Sequence, residues 1–191
     1  MAIEIELKYA AEESAFEGLL AESAEWTRYE MATTYYDTPD AKLGALRWTL
    51  RRRFENGVSV CTIKTPHKGG GRNEFELECG NIVVAIPELV KMGAPAELLA
   101  YAADGIEEVC AARFTRMAGQ IHLNGAEAEL ALDKGELLGG GNVLPFVEVE
   151  VELKSGDLEA VTAYGEELAE RFSLRPEPKS KYKRALTLAG K

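Results

Sequence analysis

Ile3-Glu4-Ile5-Glu6-Leu7-Lys8-Tyr9 alternates apolar and charged residues without interruption. A period of two sends successive side chains to opposite faces of an extended chain, so Glu4, Glu6 and Lys8 share one face and Ile3, Ile5, Leu7 and Tyr9 the other. A helix would not sort these residues so cleanly. Taken alone, the stretch predicts an antiparallel strand with its apolar side on a core and its charged side in water.

The same pattern returns elsewhere. Val147 to Leu153 places Glu148, Glu150 and Glu152 opposite Val147, Val149, Val151 and Leu153. Arg72 to Glu78 sets Arg72, Glu74, Glu76 and Glu78 against Phe75 and Leu77, and Glu127 to Asp133 sets Glu127, Glu129 and Asp133 against Ala128, Leu130 and Leu132. Basic faces match these acidic ones. Leu50 to Phe54 carries Arg51 and Arg53, and Val58 to Thr65 carries Val60, Thr62 and Lys64 facing away from Cys61 and Ile63. The Asn56-Gly57 pair between them is a hairpin signal that fixes register, bringing Arg51, Arg53, Thr62 and Lys64 to one side and sending Arg52 to the other.

Two architectures satisfy this pattern. One is an ordinary sheet with its charged side toward solvent. The other is an α+β fold built on a closed antiparallel β-barrel, a tunnel of about eight strands with a charged lumen and helices packed on its apolar outer wall. A charged lumen must hold something, because carboxylates side by side repel and are driven toward protonation unless cations lie among them. Clustered carboxylate oxygens suit Mg²⁺ or Mn²⁺, and Arg and Lys on facing strands suit phosphate oxygens. Acid and base in one tunnel therefore imply metal and polyphosphate.

The 191 residues, 46% of them hydrophobic, suit a single domain spanning residues 1–191 that can bury a core. A net charge of -10 argues against nucleic acid as a partner, since affinity for its backbone needs a basic face. Much of the excess lies on a presumed helix, at Glu12, Glu13, Glu17, Glu22 and Glu25. Cys61, Cys79 and Cys110 have no Cys-x-x-Cys spacing, and the first two fall on the apolar side of their strands, so they read as reduced core residues of a cytoplasmic protein. The N-terminus opens directly on a charged strand, and no apolar run reaches membrane-span length. No membrane partner is expected, and the oligomeric state is left open.

Between the charged strands, Ala11 to Trp26 has the apolar spacing of an amphipathic helix, as does Asp157 to Phe172, ended by Pro176-Glu177-Pro178 and expected against the outer wall. Arg28 to Asp37 is strand-like and runs into the turn Asp37-Thr38-Pro39-Asp40. Pro66 to Gly71, with its glycines and His67, reads as a mobile surface loop. Ile86 to Ala112 looks helical and broken, with Pro87 near a helix start and Gly93-Ala94-Pro95 as an interruption, before a strand from Arg113 to Leu123. Gly139-Gly140-Gly141 joins the strands of Asp133 and Glu148. Neither His67 nor His122 has partner spacing for zinc or an acid–base dyad. Lys179 to Arg184 reads by composition as a basic, solvated run.

Glu4-x-Glu6-x-Lys8 near the N-terminus resembles the signature of the CYTH superfamily, the triphosphate tunnel metalloenzymes, and the likeness covers nearly the whole chain. Tyr35-Tyr36-Asp37-Thr38-Pro39, Leu50-Arg51-Arg52-Arg53, Thr62-Ile63-Lys64, Arg72-x-Glu74, Phe114-Thr115-Arg116, Leu132-Asp133-x-Gly135, Glu148-x-Glu150-x-Glu152-Leu153 and Ser180-Lys181-x-x-Arg184 fall in the family's order. The chain is most similar to the bacterial inorganic triphosphatase branch, whose members often carry a C-terminal CHAD domain; none is expected here, because the chain stops soon after Arg184.

The resemblance implies a divalent-metal-dependent triphosphatase cleaving inorganic tripolyphosphate, a small-molecule substrate, to pyrophosphate and phosphate. It places Lys8, Arg51, Arg53, Lys64, Arg72, Arg116, Lys181 and Arg184 on the substrate. Glu4, Glu6, Asp133, Glu148 and Glu150, with Glu76, would hold Mg²⁺ or Mn²⁺, and Glu4, Lys8 and Lys181 would take part in the reaction itself. Class IV adenylate cyclase, thiamine triphosphatase and a non-catalytic polyphosphate-binding module are the rival readings.

Overall fold

The structure, a computed structural model, describes residues 2–22 and 25–190, with the side chains of Ala2 and Ile3 outside that description. Each alternating segment is a strand, and all the strands join one antiparallel sheet. They are β1 (Ala2–Glu4), β2 (Glu6–Ala10), β3 (Thr27–Asp37), β4 (Thr49–Glu55), β5 (Val58–Pro66), β6 (Arg72–Glu78), β7 (Glu107–Leu123), β8 (Ala126–Gly139), β9 (Asn142–Gly156) and β10 (Arg175–Pro176). The helices are α1 (Glu13–Glu22), α2 (Lys42–Ala45), α3 (Ile82–Lys91), α4 (Glu97–Tyr101), α5 (Leu158–Phe172) and α6 (Lys181–Leu188).

The sheet corrects the expectation of a hydrogen-bonded closed barrel of about eight strands. Among the described residues it has ten segments in the order β1-β6-β5-β4-β3-β7-β8-β9-β2-β10, and no ladder joins its two ends. The first ribbon breaks at Ile5. Before the break Glu4 pairs with Arg72 of β6, and after it Glu6 to Ala10 pair with β9. The N-terminal ribbon thus lies on both flanks of the sheet, connected by the covalent chain at Ile5, whose carbonyl accepts a hydrogen bond from Leu153 N at 3.0 Å.

Alternation decides what each face does. The outer face buries Leu130, Leu132, Val149 and Val151 beneath Phe16 and Leu19 of α1 and Val161 and Leu168 of α5. On the other flank Leu50, Ile63 and Phe75 meet Leu43 of α2, Ile82, Ile86 and Leu89 of α3, and Leu98 of α4. The charged residues are consequently left on the inner face. Helix α6 departs from the expected plan of helices only outside. Its Tyr182 and Ala185 are buried with Tyr35, Phe114, Leu137 and Phe146 on the inner, charged face at one end of the sheet. A backbone approach makes room there, since a Cβ on Gly139 would lie 2.2 Å from the carbonyl oxygen of Ala185.

The segment expected to be helical from Ile86 to Ala112 is divided differently. Asn81 caps α3 by accepting from Val83 N at 2.9 Å and Val84 N at 3.2 Å, so the helix begins earlier and Pro87 lies within it. Residues Glu107 to Ala112 belong to β7, where pairing along β3 overrides a weak local helical preference. The basic run from Lys179 to Arg184 is not simply solvated. Ser180 caps α6 through Lys183 N at 3.2 Å, and Lys181 and Tyr182 are buried. Cys61 is buried in the outer core as expected, while Cys79 lies just past the end of β6 and is half-buried. Among the described residues no helix is long and apolar enough to cross a membrane.

Because the outer wall holds the sheet in shape, Leu168→Ala, at a fully buried position, should cost about 2–5 kcal/mol. Leu158→Ala on the same helix, 43% exposed, should stay within about 0.5 kcal/mol. Urea unfolding midpoints compared at constant slope check both.

Candidate active site

The inner face encloses a cavity of about 890 Å³. Glu4, Glu6 and Lys8 from β1 and β2, Arg51 and Arg53 from β4, Lys64 from β5, Arg72 and Glu76 from β6, Arg116 from β7, Glu150 from β9 and Lys181 from α6 all line it. Asp133, Glu148 and Arg184 do not reach the wall. Asp133 and Glu148 are fully buried behind it. Arg52 points outward as the hairpin register requires, donating to the carbonyl of Gly80 at 3.0 Å.

Several lining residues had no role assigned from the sequence: Glu55, Glu74, Glu129, Glu152 and Lys154. Glu74 lies 3.2 Å from Arg51 and 3.3 Å from Lys64. Strand parity already placed these groups on the charged face, Glu55 two residues after Arg53 and Lys154 two after Glu152, so the signal was present. Arg47, Lys179 and Lys183 also line the cavity but come from a turn, an approach to a helix and a helix, where no period-two rule applies. A second hollow, of about 860 Å³, lies along Phe16, Leu20, Phe54 and Met117. Its Arg28 and Glu30 are exposed and paired at 2.6 Å, so it gathers no buried ionisable group comparable to the inner cavity.

One corner of the inner cavity is neutralised from within. Register aligns Arg116 with Asp133 and Asp133 with Glu148 across three adjacent strands. Arg116 grips Asp133 through two bonds of 2.7 Å and also contacts Glu150. Lys181 Nζ lies 2.8 Å from Asp133 and 2.7 Å from Glu150 and contacts Glu148, which Arg184 holds from the other side. Burial pushes Glu148 up to about 7, only partly offset by Lys181. Burial works against Glu150 too, but there Lys181 and Arg116 prevail and hold its carboxyl well below the usual range.

Elsewhere the cavity is left out of balance. Enclosure by the walls, then the charges of Glu150 and Glu4, push Glu6 up to about 7, and its nearest cation, Lys8, is 3.6 Å away. Glu4 goes the other way: enclosure is outweighed by Lys64, bonded to it at 2.5 Å. On the basic side, burial and the neighbouring Arg51 and Arg116 bring Arg53 down to about 10. Arg53 Nε lies beside Glu55 but outside hydrogen-bond geometry, so it, Arg51 Nε and Thr62 Oγ1 are buried without a hydrogen-bond partner among the described residues. The cavity thus holds an acid and a base that burial and like charges shift toward their neutral forms even with Lys8 and Glu55 beside them.

The carboxylates could hold a metal ion. Ligand oxygens of Asp133, Glu148 and Glu150 lie within 4.8 Å of one another, and Glu4 and Glu6 reach the cavity wall near Glu150. These are hard oxygen donors, of the kind that Mg²⁺ and Mn²⁺ accept.

Glu6 makes stability depend on pH in the metal-free protein. Its folded pKa of about 7 lies above the ordinary 4.5, so between those values the unfolded chain releases the proton first. Stability should therefore fall as pH rises from about 4.5 to 7 and then level off, with the size of the slope discounted because 30% of the side chain stays open to the cavity. Glu148, also raised to about 7, adds to the same fall, so Glu6→Gln should reduce the slope without abolishing it in thermal unfolding measured across the window.

Comparison with known proteins agrees with the geometry. The CYTH domain model matches residues 2–186. An inorganic triphosphatase of Haemophilus influenzae is 27% identical over 163 residues, covering 84% of this chain and 46% of that protein, so the chain spans about half the length of this curated relative. Among solved structures, the putative adenylyl cyclase HpAC1 from Hippeastrum, for which a dominant triphosphatase activity is described, superposes with a TM-score of 0.72 at 21% identity over 99% of this chain and 97% of that one. The PH1819 protein of Pyrococcus horikoshii gives 0.66 at 25% identity over 97% and 99%. With the family's pattern matched from the first strand through α6, the chain belongs to the CYTH domain family.

Proposed function

We propose that this chain is a divalent-metal-dependent triphosphatase that hydrolyses inorganic tripolyphosphate to pyrophosphate and phosphate. The observation that carries the reading is the double imbalance of one cavity. Burial and the neighbouring Glu150 and Glu4 push Glu6 up although Lys8 is 3.6 Å away, while burial and the crowding of Arg51 and Arg116 bring Arg53 down although Glu55 lies beside it. A polyanion with its divalent counter-ion relieves both. The curated relative named an inorganic triphosphatase supports the choice of substrate.

In this reading Lys8, Arg51, Arg53, Lys64, Arg72 and Arg116 hold the phosphate chain, offsetting its charge and aligning its terminal phosphoryl group. Water attacks the terminal phosphorus, the bond to the bridging oxygen breaks, and the pyrophosphate leaves among these cations, with Lys8 beside the departing oxygen. Glu4, Glu6 and Glu150, with Glu76 on the same wall, would hold Mg²⁺ or Mn²⁺. When bound, such an ion supplies Lewis-acid neutralisation of phosphate oxygens and lowers the pKa of the water it holds. Asp133 and Glu148 are the deeper donors, behind the cavity wall and in contact with Lys181, and Arg184 serves by holding Glu148.

Phosphate release should be measured from tripolyphosphate, ATP and thiamine triphosphate, each with Mg²⁺, Mn²⁺ or EDTA. Turnover of tripolyphosphate that EDTA abolishes is expected; binding of all three without turnover would identify a polyphosphate-binding module instead. Glu6→Gln, which breaks only the 3.6 Å pair with Lys8, should lower kcat by roughly 10²-fold or more. Arg53→Ala should act chiefly on KM, and an unchanged KM would remove Arg53 from the phosphate chain.

A further inference from the structure

Lys181 stands between the cavity and the deep carboxylates. It lines the cavity, whereas Asp133 and Glu148 do not, and its Nζ touches all three of Asp133, Glu148 and Glu150. The ammonium is held by more than charge. Its Nζ lies 5.3 Å from the ring centroid of Phe114 and 5.4 Å from that of Phe146, two rings packed edge to face at 5.7 Å. Lys181 is the first residue of α6, fixed by the Ser180 cap on one side and by Tyr182 against Tyr35, with ring centroids 5.2 Å apart, on the other. The oxygens that surround Nζ are the same cluster whose spacing could accept a metal ion.

We infer that Lys181 is the resident cation of this carboxylate site, and that a divalent ion can occupy the site only by displacing its ammonium into the cavity, where it becomes a ligand for the triphosphate. Three carboxylates already face the cations Lys181, Arg116 and Arg184. Adding a divalent ion beside an ammonium that stays in place would put strong like-charge repulsion into a buried site. The four-carbon stem of lysine lets the head group move while the backbone of α6 stays anchored. The cavity lies on the open side of Lys181, with Arg116 and Glu150 as its neighbours there. Lys181 would thus couple two events: the deep site fills, and one more cation reaches the phosphate chain. Metal would bind before substrate at this corner. The inference rests on the metal dependence proposed above.

Its test needs no turnover. Mn²⁺ is titrated into the folded, metal-free protein without any phosphate compound, and its affinity is read by calorimetry or by electron paramagnetic resonance. A site blocked for most of the time binds with its affinity reduced by the fraction open, so Lys181→Met should tighten Mn²⁺ binding by about tenfold or more. Lys181→Arg should not. Lys154→Gln removes a charge from the same wall without touching the three carboxylates, and should change the affinity far less. A Lys154→Gln effect equal to that of Lys181→Met would reduce the result to general electrostatics and overturn the inference.

Reductive methylation of the wild-type chain, read by mass spectrometry, is independent of whether any variant folds. Lys181 should be protected in EDTA and become reactive when Mn²⁺ is added. Protection unchanged by Mn²⁺ that demonstrably binds overturns the displacement while sparing the metal reading. Failure of Mn²⁺ to bind the wild type and every variant overturns both.

Discussion

A cluster of carboxylates inside a protein is stable only if cations sit among them, and Lys181 with Arg116 and Arg184 meets that condition for Asp133, Glu148 and Glu150. Removing any one partner would leave an uncompensated buried charge, which costs far more than the intact cluster contributes. The cluster also ties distant parts of the chain together. Arg116 comes from β7, Asp133 from β8, Glu148 and Glu150 from β9, and Lys181 and Arg184 from α6. Placing the last helix on the inner face is therefore as much an electrostatic matter as an apolar one, with Tyr182 and Ala185 supplying the apolar part.

Inward-facing charge is possible because the opposite face is fully used. The aliphatic partners of the acidic residues on β8 and β9 are buried beneath α1 and α5, and those of β4, β5 and β6 beneath α2, α3 and α4. A slip of one residue in any ladder would exchange the two sets and place carboxylates under the helices. The hydrophobic covering thus enforces the register that brings Arg53, Lys64 and Glu4 to one cavity. Function on the inside is secured by burial on the outside.

Within the cavity two kinds of ionic residue can be separated. Arg116, Asp133, Glu148, Glu150, Lys181 and Arg184 are linked by ion pairs that need no ligand, although burial still holds Glu148 at about 7. Glu6 and Arg53 are shifted in directions that ions from outside would reverse. Such shifts are common at binding sites, and they set these two groups apart from a uniformly charged wall.

Much of this was legible in the residues. Period-two alternation gave the inward or outward direction of Glu4, Glu6, Lys8, Arg51, Arg53, Lys64, Arg72 and Glu76, because side-chain direction in a strand is a local property. The same parity put Glu74 on the charged face although it drew no role, and extended one residue past Leu153 it would have added Lys154. Three things were not legible. The break at Ile5, which lets one ribbon serve both flanks, depends on β6 and β9, far apart in the chain, lying on either side of it. Residues Glu107 to Ala112 became strand only because β3 offered a long partner. The burial of Lys181, in a run that composition alone makes solvent-facing, required two strands, β8 and β9, to deliver three carboxylates to one point. Sequence by itself determined which side chains share a face, since that follows from backbone geometry residue by residue. Tertiary structure alone decided which of them pair with each other and which burial and like charges shift, because Coulomb energy and desolvation depend on distances between groups far apart in the chain.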